Sequence, residues 1–319
     1  LRAFYVAAGD LPGMMRPART RNAMSKEHVA VLLAAFAAIL GGTAFVASRY
    51  AVAESEPMTV AFLRALGAGM GLAIIAWGVP GRRAGWIARG DILPVFLLGA
   101  LMFACFGWLF ATGTRYIPAA RAALILSLMP VLALALAAAM GQEKLSFNKV
   151  AACVLAALGV AVALGDRAGG GPEAWKGDLV MLIAAVVGAT HTVLSARYVR
   201  RYKPMSLTAL QCLAGCTVLG AALVVRGDFS GFGHFTASGW FAMFWLTFPA
   251  GLVGYYLWFF ALTRISASTV TLFVTLNPIA AAACGALVLG EVVDWRLGAG
   301  FACIAAAIAL ASRRKPNAG

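Results

Sequence analysis

Charge is what this chain of 319 residues has least of: Asp, Glu, Lys and Arg make up 12% of it, about half their share in an ordinary soluble domain. Apolar residues make up 62% and mean hydropathy is +0.87. A soluble fold of this size cannot hide that much apolar surface, which excludes a water-soluble globular protein and points to lipid as the solvent. Acids are scarcer than bases: 12 against 26, a formal net charge of +14. In a soluble chain such an excess suggests a nucleic-acid partner. Here Lys and Arg are scattered through short segments between apolar runs and through both tails, as in membrane loops, so no nucleic-acid partner is expected. Metal chemistry also lacks its ligands. The six cysteines, Cys105, Cys153, Cys212, Cys216, Cys284 and Cys303, all lie in apolar runs. Cys212 and Cys216 share a helical face, but no His or acid near them completes a site. All six read as reduced, small hydrophobes, and neither a metal nor a cofactor is expected. The first residues lack the apolar core and cleavage site of a signal peptide. Residues 1–27 read as a disordered cytoplasmic tail or as sequence ahead of the natural start, with Met14 and Met24 as candidate starts.

What the chain does have is long apolar runs. About 20 such residues span a bilayer as a helix. Spans are expected at 29–48, 58–78, 92–111, 119–140, 149–165, 179–196, 205–225, 240–261, 268–289 and 298–312. With the N-terminus inside, the cytoplasmic segments hold 18 basic residues and the outer loops 6, and Arg64 and Arg121 fall within spans. That asymmetry places both termini in the cytoplasm, which requires an even number of spans. The fold class is therefore all-α integral membrane, with ten transmembrane helices. The chain divides into a tail (1–27), a first five-helix unit (28–165), a second (178–312) and a second cytoplasmic tail (313–319). A bacterial inner membrane is the expected location.

The two units are copies. Ser48-Arg49-Tyr50 ends span one and Ala196-Arg197-Tyr198 ends span six, 148 residues on. Pro57-Met58 and Pro204-Met205 open spans two and seven, 147 apart; Pro130 and Pro278, like Glu143 and Glu291, are 148 apart. Trp108 and Trp258 precede matching Thr114-Arg115 and Thr263-Arg264 turns. Five spans per copy is an odd number, so the second copy enters the membrane upside down. Inverted repeats place a site near the bilayer midplane, between the halves, and let it open to each side in turn.

The run Leu40-Gly41-Gly42-Thr43-Ala44-Phe45-Val46, followed by Arg49, Pro57 and Arg64, resembles the start of an EamA-type repeat. Pro118 through Pro130 to Gly141-Gln142-Glu143-Lys144-Leu145 resembles its end, and Thr263-Arg264 through Asn277-Pro278 to Leu289-Gly290-Glu291 repeats the pattern. The resemblance covers residues 28–312 and is to the drug/metabolite transporter superfamily, in its ten-helix exporter branch. It departs from the pattern at Leu40, where a Trp often stands before the Gly. It implies export of amino acids or other small metabolites, with the aromatic and neutral amino-acid exporters most similar. The partners implied are a small-molecule substrate and the lipid bilayer, and a monomer suffices.

Every acid lies in a tail, a loop or at a span end. Ion-driven carriers commonly keep a carboxylate mid-membrane, so facilitated or weakly coupled transport is expected. The same absence argues against an embedded enzyme, because no acid pair, metal set or nucleophile–base pair stands within the spans. Arg64 lies roughly 10 Å into span two at 1.5 Å per residue. It either anchors a substrate carboxylate or serves structurally by bonding helix-end carbonyls. Its repeat partner is Gln211. His191, in span six, matches Thr43 and is either a substrate contact or a packing residue. Trp108, Tyr255 and Trp258 are either interface anchors or cavity walls. Asn277 stands next to Pro278. Pro130 and Pro278 each free a carbonyl, of Leu126 and Val274, and are candidate hinges. Gly67, Gly69 and Gly71 let helices approach closely. Glu143 and Glu291 are expected to bond the opposite repeat's helix ends or basic loop residues. The expected substrate-binding set is thus Thr43, Arg64, Trp108, His191, Gln211, Tyr255, Trp258 and Asn277. Rival readings are a multidrug exporter, a passive pore or a membrane-embedded enzyme.

Overall fold

A lipid-embedded backbone has no water to bond, so apolar runs of this length close their hydrogen bonds internally as helices. The structure, a computed structural model, describes residues 21–78, 87–141, 147–164, 171–227, 229–254, 256–257, 273, 276–292 and 294–312. Among these there is no strand. Span one is α1 (Arg21–Glu54). Span two is α2 (Pro57–Ala73), extended by a π-helical turn, Ile74–Gly78. Span three joins α3 (Ile92–Gly99), a π segment (Ala100–Phe106) and α4 (Gly107–Tyr116). Span four is α5 (Ala119–Leu126) and α6 (Met129–Ala139). Spans five, six and seven are α7 (Phe147–Leu164), α8 (Ala174–Arg201) and α9 (Pro204–Arg226). Span eight is α10 (Ala237–Thr247) running into a π segment, Phe248–Val253. Spans nine and ten are α11 (Leu276–Leu289) and α12 (Trp295–Ser312). Six of these helices are long and apolar enough to cross a membrane.

The first helix is longer than its apolar run. It begins at Arg21, inside the segment expected to be tail, and continues past residue 48 to Glu54. Pro57 sets its end, because the residue before a proline is pushed out of the α region: Glu56 has φ −72° and ψ 138°. Span four breaks at Ser127–Leu128, and Pro130 falls in the first turn of α6, where a missing N–H removes no helical bond.

The packing reproduces the repeat. Spans two and seven pack on each other, as do five and ten, and four and nine. Further contacts occur in exchanged pairs. Span one lies on nine as six lies on four; three lies on six as eight lies on one; three lies on seven as eight lies on two. Two polar straps show the same relation at atomic detail. The Thr236 N–H donates to Glu54 Oε2 at 2.9 Å, and the Ala88 N–H donates to Tyr202 Oη at 3.2 Å. Thr236 and Ala88 are 148 residues apart, and so are Tyr202 and Glu54. The straps join the end of span one to the start of eight, and the end of six to the start of three. An odd number of spans separates them, so they lie at opposite ends of the bundle, as inversion requires.

The largest buried cluster, around Phe45, Phe106, Phe110, Ile117 and Met181, fills the space between spans one, three, four and six. Small residues bring the helices together around it. A Cβ on Gly42 would come within 2.4 Å of the Asn277 carbonyl oxygen, so spans one and nine touch backbone to backbone. Here the Gly41-Gly42 pair of the repeat motif has a steric reason.

Candidate substrate site

Spans three and eight lose α-helical register at matching places. Their π segments begin at Ala100 and Phe248, 148 residues apart. A π turn holds one extra residue, which swells the helix and re-aims the side chains beyond it; such turns cluster at functional positions. Glycines let the paired spans two and seven reach these swellings. A Cβ on Gly215 would lie 2.4 Å from that of Phe103, and one on Gly67 of span two would lie 2.5 Å from Thr247 Cγ2. A Cβ on Gly99 would meet the Gln211 carbonyl oxygen at 2.5 Å.

Arg64 projects from α2 into this junction. Its guanidinium sits 5.1 Å over the Phe110 ring, a cation–π contact, and among the described residues no carboxylate faces it. Phe110 in turn meets Phe45 edge-on and stacks with Phe106. Beside Arg64 lies a cavity of about 20 Å³, bounded by Ala61, Met102, Phe103, Phe106 and Gly251, with room for about one water. Its walls come from spans two, three and eight, hence from both repeats. Across the two–seven contact stands Gln211, 3% exposed. Its Oε1 lies 3.3 Å from His191 Nε2, and its Nε2 has no partner. One residue on, the Cys212 Cβ is 3.0 Å from where a Cβ of Gly69 would stand, and Arg64 is within electrostatic reach of Cys212. Of the expected residues, His191 and Gln211 thus meet directly, and Arg64 lies on the span that packs against Gln211's.

The others disperse. Thr43 accepts a hydrogen bond from Trp245 Nε1 at 2.9 Å and donates to the Leu40 carbonyl. It borders a separate apolar cleft of about 390 Å³ between spans one, eight and nine, with Tyr50, Phe241 and Val288. Asn277 lies between spans one and nine, its amide 3.4 Å from a Cβ built on Gly41, with Oδ1 buried and unbonded. Trp108 is exposed, on the face of α4 opposite Phe110. Pro130 is exposed and Pro278 buried in the first turn of the described α11. Tyr255, Trp258 and Val274 lie outside the described residues.

One end of the bundle is held by ions. Glu291, just past α11, accepts from the Ala119 N–H at 3.0 and 3.1 Å and pairs with Arg49 Nε at 2.8 Å. Arg49 also donates to the carbonyls of Thr114 and Ile117. Glu291 therefore bonds a helix end and a basic residue of the opposite repeat, as its position after span nine suggested. Its repeat mate Glu143 lies outside the described residues. Sequence reasoning missed a second pair at the same end, Arg121 with Asp178 at 2.6 and 2.8 Å. The signal was there, an Arg inside an apolar span and an acid opening another, but nothing in the sequence joins positions 57 residues apart.

Comparison with known proteins agrees with this architecture. The profile of the EamA-like transporter family matches residues 28–165 and again 175–313. An "Uncharacterized transporter" of Archaeoglobus fulgidus is 26% identical over 279 residues, covering 86% of this chain and 95% of that one. The "Uncharacterized transporter YcxC" of Bacillus subtilis is 25% identical, covering 89% and 92%. A "Probable terminal-alkyne amino-acid exporter" of Streptantibioticus cattleyicolor is 26% identical, covering 70% and 74%. A crystallised protein with 24% identity superposes with a TM-score of 0.62 over 89% of this chain and 96% of its own, which speaks for the fold alone.

Proposed function

Because the chain belongs to the EamA-like transporter family, a multi-pass membrane protein built to move small molecules, we propose that it exports neutral and aromatic amino acids or related metabolites across a bacterial inner membrane. The observation that carries this reading is the Arg64–Gln211 pair. Arg64 on span two and Gln211 on span seven, repeat-related positions on two spans that pack together, offer a cation and an unbonded amide donor. Aromatic rings of Phe103, Phe106 and Phe110 stand beside them. A carboxylate with an apolar tail matches both parts. The name of the Streptantibioticus relative points to the same substrate class.

Transport proceeds by alternating access, with the repeats rocking about the two–seven contact. The cavity beside Arg64 holds no amino acid at its present size, which suits a closed state, and rocking would open it to one side or the other. The excess of basic residues in alternate loops supports cytoplasmic termini. No acid stands mid-span in the sequence, which supports facilitative or weakly coupled transport and speaks against bulky cations as the preferred cargo. The test is uptake of labelled amino acids by proteoliposomes with no imposed ion gradient. Saturable uptake competed by unlabelled substrate is expected. Linear, non-saturating flux would mean a pore, and chemical conversion of the ligand an enzyme.

A further inference from the structure

Resting on the amino-acid reading of the Arg64–Gln211 site, we infer that this site reads the substrate's carboxylate and is indifferent to its amine. Its substrate class is therefore small carboxylates with an apolar tail, of which amino acids are only one kind. An ammonium brought out of water needs an anion to repay its dehydration. All twelve acids of the chain lie in tails, loops or span ends, and each described one with a bonded side chain is held where it stands. Glu54 binds Thr236, Glu56 binds Arg115, and Asp91 binds Arg201 and Tyr202. Glu173 binds Lys176, Asp178 binds Arg121, Glu291 binds Arg49, and Asp294 bonds the N–H of Trp295. The described interior side-chain oxygens without a bond, those of Ser195 and Asn277, are neutral.

The opposite charge is provided for. Among the described residues Arg64 has a ring but no carboxylate beside it, and Gln211 is buried with its donor unbonded while His191 meets its acceptor. With the imidazole Nε2–H donating to Oε1, the Gln211 amide presents its hydrogens, the polarity a carboxylate needs. A 2-oxo acid or an unsubstituted acid meets the same donors as an amino acid and brings no uncompensated cation.

The experiment is counterflow of labelled L-phenylalanine in proteoliposomes of the full chain, challenged with phenylpyruvate, 3-phenylpropionate and 2-phenylethylamine. The two acids should compete at least as well as L-phenylalanine, which carries an ammonium the site does not pair, while the amine should be weaker than L-phenylalanine by about thirtyfold or more, the loss of a charge-assisted hydrogen bond. Arg64→Gln should abolish counterflow of amino acid and oxo acid together, and Arg64→Lys should retain part of both, with each variant remaining monodisperse in detergent. If L-phenylalanine exchanges but neither deaminated acid competes, the inference falls and the amino-acid reading stands. If labelled phenylpyruvate exchanges while no amino acid does, the amino-acid reading falls and carboxylate recognition stands. If no carboxylate of either kind exchanges, both fall.

Discussion

Replacing Glu291 tests how the two repeats are fastened. Its carboxylate is 8% exposed and holds two partners from the other repeat, the Arg49 guanidinium at 2.8 Å and the Ala119 N–H at 3.0 Å. Glu291→Gln keeps an acceptor for the N–H and removes the charge. A hydrogen bond to a charged group contributes about 1.5–3 kcal/mol. Arg49 is 29% exposed and keeps the Thr114 and Ile117 carbonyls, so solvent and those bonds lower the loss to about 1.5–2 kcal/mol. Glu291→Ala also strands the Ala119 N–H, adding about 1–3 kcal/mol, for a total of about 2.5–5 kcal/mol. Arg49→Gln should resemble Glu291→Gln, and the double variant should cost less than the sum, with a coupling of about 1–2 kcal/mol. Equilibrium unfolding in mixed micelles measures all four. Strict additivity, or equal costs for Glu291→Gln and Glu291→Ala, would refute the bridging role.

Three further outcomes follow. Removing one member of the Arg121–Asp178 pair, whose side chains are 10% and 15% exposed, by Arg121→Met or Asp178→Leu should destabilise by about 3–5 kcal/mol; the double substitution should recover most of that in the same unfolding assay. Gly42→Ala forces a methyl to 2.4 Å from the Asn277 carbonyl oxygen and should lower stability by about 1–3 kcal/mol or more, whereas Gly90→Ala, which meets nothing within 4 Å, should unfold within about 0.5 kcal/mol of the unaltered chain. Gln211→Glu would set a carboxylate across from Arg64 and should weaken carboxylate substrates by at least about tenfold in competition assays, because it occupies the cation they need.

The fold was legible because the bilayer leaves few choices. Length and apolarity located the helices, six of them long and apolar enough to cross a membrane among the described residues, and the ordered 148-residue offsets disclosed the repeat. The straps at Glu54–Thr236 and Tyr202–Ala88 express the same offsets in space. Glu291 was legible in role though not in partner. The candidate site was legible only residue by residue. Arg64, His191 and Gln211 stood out because polar groups are conspicuous in apolar spans; His191 meets Gln211, while Arg64, on the span that packs against span seven, lies over Phe110. Trp108 was singled out by its repeat relation to Trp258, yet it stands exposed on the far face of α4 from Phe110, because two residues turn a helix by about 200°, beyond a π turn that ends at Phe106. That turn has no periodic signature: Ala100–Phe106 reads as an ordinary apolar run. The bond from Trp245 to Thr43 was equally hidden, since it depends on how spans one and eight cross.

We propose that a substrate carboxylate is bound at Arg64, between two repeats that take turns opening. The most direct measurement is exchange of labelled L-phenylalanine across proteoliposomes with no ion gradient, comparing the unaltered protein with Arg64→Gln. Saturable exchange that trans substrate accelerates, and that vanishes in Arg64→Gln while the fold persists, is the predicted result. Exchange undiminished by Arg64→Gln would contradict the claim and move the site elsewhere in the bundle.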